Sequence, residues 1–155
     1  MVSVGRSTEE ARVNMKRWAA AGLFLVGGVT VVPARPQEAP KKHPLDIRLA
    51  GCLEKDPSTQ GMLACFDEAY RTWDAELNRV YGELLSRLTP EEAGSLREAQ
   101  RAWLKQRDAT FKLLAGVYAR KEGTMFLTMR AADRVDIVRK RTLELLSVLD
   151  VLDIE

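Results

Sequence analysis

The sequence predicts an all-α fold, a small helical bundle of three long helices plus a short N-terminal helix. Three observations favour it. The chain has no proline after Pro90, and Ala, Leu, Glu, Arg and Lys dominate that region. Apolar residues recur at alternating steps of three and four, the period of a helix with one buried face. Few segments show strand signals.

The first predicted helix is short, and the second follows it closely. The first covers "LDIRLAGCLEK" and ends at Asp56-Pro57, because the residue before a proline is pushed out of the α conformation. Ser58 or Thr59 can then cap the second helix. An apolar stripe runs along that helix for roughly six turns; it comprises Phe66, Tyr70, Trp73, Leu77, Val80, Leu84 and Leu88.

A sharp turn is predicted at "LTPEE". Thr89 can cap a third helix, Pro90 fits its first position, and Glu92 completes a capping box. With almost no loop, the second and third helices should form an antiparallel hairpin. Gly123 should end the third helix in a left-handed conformation, and Thr124 should begin the fourth. The predicted buried stripes are Leu96, Ala99, Trp103, Thr110, Leu113 or Leu114 and Val117 in the third helix, and Leu127, Ala131, Val135, Val138, Thr142, Leu145 and Leu149 in the fourth.

The N-terminus has the pattern of a signal peptide. Lys16 and Arg17 precede an uncharged run of 15 residues, and small side chains before Arg35 indicate cleavage after Ala34. Residues 1–34 are therefore predicted to be a signal peptide with a possibly over-long start, and an uncleaved anchor is the alternative. Residues 35–44 are a Pro-rich flexible leader, and residues 45–155 form one helical domain. The protein should be periplasmic or secreted.

The charge balance argues against a nucleic-acid partner. Residues 1–34 hold four of the 24 basic and two of the 22 acidic residues, so 20 of each remain after cleavage. A neutral domain lacks the electrostatic attraction that polyanion binding needs. Once the signal peptide is removed, no membrane association is expected either. Oligomeric state is left open.

The two cysteines, Cys52 and Cys65, predict a disulfide. Twelve residues separate them, and thiols in exported chains tend to pair. Such a bridge would stabilise the fold by about 3 kcal/mol. The rival reading is a metal site, but two thiolates and the single histidine, His43, make a poor ligand set. We therefore predict no metal and no cofactor.

Polar residues inside the hairpin form a second pattern. Asp74, Asn78 and Tyr81 share one face of the second helix, and Gln100, Trp103 and Arg107 share one face of the third. Residues equally distant from Thr89-Pro90 should face each other. This predicts a structural network with an Asp74–Arg107 ion pair that fixes helix register, and removal of Arg107 should then cost about 3 kcal/mol. A groove exposing Trp103 or Arg107 to a ligand is the alternative.

No catalytic set is evident. The mature chain lacks a serine, histidine and carboxylate that helix geometry would bring together, and its histidine lies in the leader. The carboxylates Glu91, Glu92 and Glu98 are typical of capping and surface positions. The protein is therefore predicted not to be an enzyme.

The pattern "C…STQGMLAC…D..LN..Y", followed by "L..AQRAWL..RDA", resembles the LprI-type lysozyme inhibitors, a family of small exported helical domains. The likeness covers about residues 50–148. It rests on Cys52, Cys65, Asp74, Leu77, Asn78, Tyr81, Gln100, Trp103, Arg107 and Asp108, and Asp108 is counted with the polar network. Where many members carry a further cysteine after "RDA", this chain has Phe111, and no cysteine follows Cys65.

The resemblance implies an exported protein that binds a lysozyme-type muramidase and inhibits it by occluding its cleft. Arg120, Lys121 and Arg130, which flank the Gly123 turn, are the candidate contacts. Alternatively, these are solvated charges at helix ends. The runner-up function is a non-inhibitory structural or interaction module of the same fold, with another envelope protein as its partner.

Overall fold

The computed structural model describes residues 42–154, which form four α-helices. These are α1 (Pro44–Lys55), α2 (Thr59–Arg87), α3 (Pro90–Tyr118) and α4 (Met125–Leu152). The predicted all-α fold of three long helices and one short helix is confirmed. The predicted signal peptide and residues 35–41 of the leader lie outside the described residues. Within residues 42–154, no helix has the length and apolar character that crossing a bilayer requires.

The core lies between α2 and α4, which make the most extensive contact of any helix pair. The α2 side of this contact includes Trp73, Val80 and Leu84, each fully buried. These residues belong to the predicted stripe, which is confirmed. On α4, the predicted positions from Val135 onward are buried: Val135, Val138, Thr142, Leu145 and Leu149. Leu127 was also predicted to be buried, but 48 % of it is exposed because it lies beyond the core in the first turn of α4.

The start of α1 is fixed by a histidine that the sequence placed in the leader. The His43 ring accepts a hydrogen bond at Nδ1 from the Leu45 amide, 3.3 Å away, so the helix begins at Pro44. The same ring lies against the indole of Trp73, with 4.5 Å between ring centroids. Next to it, Arg139 on α4 forms a bidentate ion pair with Asp46, at 2.7 and 2.8 Å. These contacts attach the beginning of α1 to the core.

The two tight turns form as predicted. Ser58 caps α2 by accepting a hydrogen bond from the Gly61 amide at 3.0 Å. Gly61 has no room for a side chain, because a Cβ there would collide with the Asp56 carboxylate. At the second turn Thr89 and Glu92 form the predicted capping box, and α3 begins at Pro90.

The helix α3 is less buried than predicted. Only Ala93 and Gln100 are buried, and Ala99 is exposed. Of the two alternatives Leu113 and Leu114, the first is 64 % exposed and the second is half-buried. The physical reason is that the α3 backbone approaches α2 and α4 much less closely than these two approach each other. The left-handed conformation predicted for Gly123 is confirmed, but α3 ends before that residue. The helix stops at Tyr118, and Gly123, with φ of +103°, lies in the turn that leads to α4.

Candidate functional site

A groove runs between α2 and α3, with a volume of about 320 Å³. We call it the α2–α3 groove. Five residues of the predicted polar network line it. Its lining consists of Asp74, Leu77, Asn78 and Tyr81 from α2, and Arg97, Gln100, Arg101, Leu104 and Arg107 from α3.

The predicted ion pair between Asp74 and Arg107 is absent from the structure. Arg107 donates instead to its neighbour Asp108, from Nε at 2.9 Å and from Nη2 at 2.8 Å. Asp74 receives a hydrogen bond from Asn78 on its own helix, at 2.8 Å to the backbone carbonyl and 3.4 Å to the carboxylate. Because the two backbones stand apart, each polar group pairs within its own helix. The prediction of an ion pair across the hairpin that fixes helix register is therefore wrong.

The buried polar contact joins α3 to α4 instead. Gln100 accepts a hydrogen bond at Oε1 from Nε of Arg141, at 3.1 Å, and both residues are buried. Arg141 also pairs with Glu144 at 3.0 Å. The ring of Trp103 is half-buried between two guanidinium groups, at 5.4 Å from Arg107 and 5.9 Å from Arg141. These hydrogen-bond and cation–π contacts explain why an amide, an indole and a guanidinium occur together on one face of α3.

The predicted disulfide between Cys52 and Cys65 is confirmed, with 5.8 Å between the Cα atoms. It joins the last turn of α1 to the second turn of α2. No residue of α1 is fully buried, and Leu45 and Leu49 are only partly buried against the core, so the covalent bond supplements a limited apolar contact. The bridge therefore maintains the position of α1.

The three predicted partner-binding residues occupy two different places. Arg120 and Lys121 are exposed in residues 119–124, which we call the basic turn. Neither forms an ion pair with a residue that the structure describes. Arg130 lies instead in a cleft of about 220 Å³ between α2 and α4, which it lines together with Arg134 and Tyr70.

The basic turn is next to exposed apolar side chains. The first turns of α4 expose Met125, Leu127 and Met129, by 61, 48 and 43 %. A hydroxyl contact of 3.4 Å, from Thr59 to Thr124, connects this end of α4 to the start of α2. Charged groups beside exposed apolar groups are the composition of a protein-binding surface.

A tyrosine anchors the end of α3 beside the basic turn. The Tyr118 hydroxyl donates a hydrogen bond to Asp133 on α4, at 2.6 Å. This bond and the negative charge of the carboxylate raise the pKa of Tyr118 above its ordinary value. The Tyr118 ring also lies 6.5 Å from that of Phe126. The basic turn is thus held at both ends by side-chain contacts.

Among residues 42–154, no group of three or more His, Cys, Asp or Glu side chains is placed to hold a metal ion. The two cysteines are oxidised to each other, and His43 is committed to capping α1. The candidate sites therefore consist of the α2–α3 groove and the basic turn.

A comparison with protein families shows the family to which the chain belongs. The model of the family described as "Lysozyme inhibitor LprI" matches residues 52–145, which span the disulfide, the groove and the basic turn. The chain belongs to the LprI family of lysozyme inhibitors. The resemblance inferred from the cysteine and "RAWL" motifs is thereby confirmed.

Two relatives of this LprI-family chain are informative. An uncharacterized protein of Rhizobium meliloti (strain 1021) is 33 % identical over 109 residues, which cover 62 % of this chain and 77 % of the relative. A crystal structure of an uncharacterized protein from Burkholderia thailandensis is 31 % identical, with a TM-score of 0.64. The likeness covers 71 % of this chain and 55 % of that one. The chain thus spans little more than half of the length of the solved relative.

Phe111, which stands where many members of the family carry a cysteine, is packed rather than free. Its ring lies 6.2 Å from that of Tyr70 on α2, and the guanidinium of Arg134 on α4 is 5.2 Å from it. Arg134 also lies 4.8 Å from the Tyr70 ring. Phe111 thus takes part in an aromatic and cationic contact that joins α2, α3 and α4.

The sequence did not assign Arg97, Arg101 or Arg141 to the candidate site; the first two line the groove, and Arg141 donates a hydrogen bond to Gln100. Arg141 had a detectable signal, because it interrupts the apolar stripe of α4 between Val138 and Thr142. A charge at that position predicts a buried partner. Arg97 and Arg101 are spaced by one helical turn on α3, but nothing in the sequence shows that α2 stands far enough away to leave a groove beside them.

Proposed function

We propose that this chain is an exported, non-catalytic protein that binds a lysozyme-type muramidase and inhibits it by occluding its cleft. Membership of the LprI family supports inhibition in general. The predicted signal peptide and the Cys52–Cys65 disulfide support an oxidising, extracytoplasmic location, either periplasmic or secreted.

The basic turn is the observation that carries the proposed mode of binding. Muramidases place a pair of acidic residues on either side of the scissile glycosidic bond. Arg120 and Lys121 present two exposed positive charges without ion-pair partners in residues 42–154. These charges can approach the acidic cleft, while Met125 and Leu127 supply apolar contact beside them. Arg130 lines the cleft between α2 and α4 and makes a smaller contribution to muramidase binding in this proposal.

A muramidase assay tests this proposal. Purified protein is added to chicken-type, goose-type and phage-type lysozymes, and the clearing of a cell-wall suspension is followed by turbidity. We expect saturable inhibition of at least one type by micromolar protein. Lack of inhibition of all three types would overturn the proposal, and clearing caused by the protein alone would contradict its non-catalytic part.

Charge reversal identifies the surface. Arg120→Glu with Lys121→Glu should weaken inhibition by about 100-fold, since truncating or reversing charge pairs at an interface costs a few kcal/mol. The matched control is Arg48→Glu with Lys105→Glu, which makes the same change in net charge at two exposed positions away from the turn. Equal inhibition by the two double variants would show that the turn is not the binding surface.

The second candidate function, a non-inhibitory interaction module, is favoured by a different observation. The last turns of α4 expose Val148 and Val151 by 40 and 64 %, and Ile154, which follows the end of the helix, is 76 % exposed. These apolar side chains at the end of the chain are available to another envelope protein. A native chain that inhibits no muramidase but is retained by an envelope protein through these side chains would favour the module.

A further inference from the structure

The α2–α3 groove has features that muramidase inhibition by the basic turn does not use. We propose that this groove binds an acidic sugar, meaning a ligand of monosaccharide size that carries a carboxylate. Its volume of about 320 Å³ lies at the lower end of the range for small-molecule sites. The proposal is independent of the proposed function, because it concerns other residues and another class of ligand.

Two arginines provide the anion-binding part of the groove. Arg97 and Arg101 line it one helical turn apart, and neither forms an ion pair with a described residue. Arg107, further along, is already paired with Asp108. Uncompensated guanidinium groups on one wall favour a carboxylate, which they can bind with two hydrogen bonds.

The other polar groups of the groove, Asp74 on α2 and Gln100 on α3, favour hydroxyl groups. The Asp74 carboxylate can accept hydrogen bonds from a ligand, because its one described hydrogen bond is the 3.4 Å contact from Asn78. The buried Gln100 is oriented by Arg141, which donates to its oxygen, so that the amide nitrogen remains available as a donor in the groove. A bare inorganic anion would gain nothing from Asp74 and would be repelled by it.

The floor of the groove is apolar. Leu77 is 2 % exposed, Leu104 is half-buried, and the ring of Tyr81 forms part of the wall. A sugar ring presents C–H groups to such a surface and its hydroxyls to the polar rim. A few polar groups placed around an apolar floor are the usual composition of a small-ligand site.

The spacing of the charges separates a sugar from an amino acid. Positions equally distant from the Thr89-Pro90 turn put Asp74 level with residue 105. Arg101 and Arg97 are therefore about 6 and 12 Å nearer the turn along the helix axis. An α-amino acid carries its ammonium and carboxylate groups on one carbon, so it matches the larger of these offsets, about 12 Å, less well than a longer ligand does. A sugar with a carboxylate substituent spans the longer distance.

Calorimetric titration of the purified protein tests the assignment with two probes that differ by one group. N-acetylmuramic acid has a lactyl carboxylate, and N-acetylglucosamine is the same sugar without it. We expect saturable binding of the acid and binding about tenfold or more weaker for the neutral sugar, as loss of a charge-assisted contact predicts. Equal binding of both sugars, binding of neither, or binding of lactate or glutamate as tight as that of the acidic sugar would overturn the proposal.

A matched pair of variants ties binding to the groove. Arg97→Gln with Arg101→Gln should weaken binding of N-acetylmuramic acid about tenfold or more. Lys105→Gln with Lys112→Gln removes the same charge from the same helix, outside the groove, and should leave binding unchanged. All four side chains are exposed, so unchanged helical circular dichroism is expected. Equal losses in both double variants would show a non-specific charge effect and contradict the proposal.

Discussion

The two sides of α2 differ in how they meet their neighbours. Toward α4, α2 presents fully buried side chains such as Val80 and Leu84, in the closest helix contact of the described chain. Toward α3, it presents Asp74 and Asn78 to an open groove. The difference teaches that one long helix can form the core with one face and the wall of an open groove with the other. The apolar face provides stability, and the polar face lines the groove.

The largest effect is expected from shortening a side chain on the packed side. Leu84→Ala should lower the free energy of unfolding by about 4 kcal/mol, because Leu84 is completely buried and its truncation leaves a cavity. Leu104→Ala, on the groove side, should cost only about 1 kcal/mol, because Leu104 already contacts solvent. Urea unfolding measures both changes. Similar losses in the two variants would mean that the groove is as tightly packed as the core.

Removal of the disulfide is expected to cause the second-largest loss of stability. Cys52→Ser with Cys65→Ser should lower the free energy of unfolding by about 3 kcal/mol, because the unfolded chain loses a short closed loop. Adding a reductant to the native protein should reproduce the loss and should have no effect on the double variant. Equal stability of the oxidised and reduced native protein would show that α1 is held by its other contacts, such as the Arg139–Asp46 pair.

Two arginines with similar neighbours should differ in their contribution to stability. Arg141→Met leaves the buried Gln100 oxygen without its donor and should cost about 2 kcal/mol. Arg107→Met removes a pair with the exposed Asp108 and should cost about 1 kcal/mol or less. Thermal and urea unfolding of both variants decide the order. A larger loss of stability for Arg107→Met than for Arg141→Met would support the hairpin network predicted from sequence.

The smallest effect on stability is expected at the capping box in the turn between α2 and α3. The Thr89 amide and hydroxyl donate to Glu92, which lowers the pKa of that carboxyl. A lowered pKa in the folded state adds stability above the unfolded pKa, and this contribution is lost as the pH falls through the lowered pKa of the folded state. The difference in melting temperature between the native protein and Glu92→Ala should therefore shrink on acidification. Glu91→Ala, in the same helical turn, should show a smaller difference at neutral pH.

The packed side could be predicted from sequence because its determinants are local and periodic. The stripe from Trp73 to Leu84 and the caps at Ser58 and Thr89 depend on residue type and spacing alone, and each was confirmed. The disulfide also followed from export and from the spacing of two cysteines.

The groove side could be predicted only in part, because the separation between helices is a property of the whole bundle. Equal distance from the turn placed Asp74 and Arg107 on facing helices, and both do line the groove. Sequence spacing gives no distance between backbones, however, and the expected pair is replaced by one between Arg107 and Asp108. The exposure of Leu113 has the same origin, since α3 is covered on less of its surface than its apolar pattern suggests.

The most direct test of this account compares the basic turn and the groove in one muramidase assay. The native protein should inhibit, Arg120→Glu with Lys121→Glu should lose inhibition, and Arg97→Gln with Arg101→Gln should retain it. Failure of the native protein to inhibit any lysozyme type, or inhibition that survives the changes in the turn and disappears with those in the groove, would contradict the account.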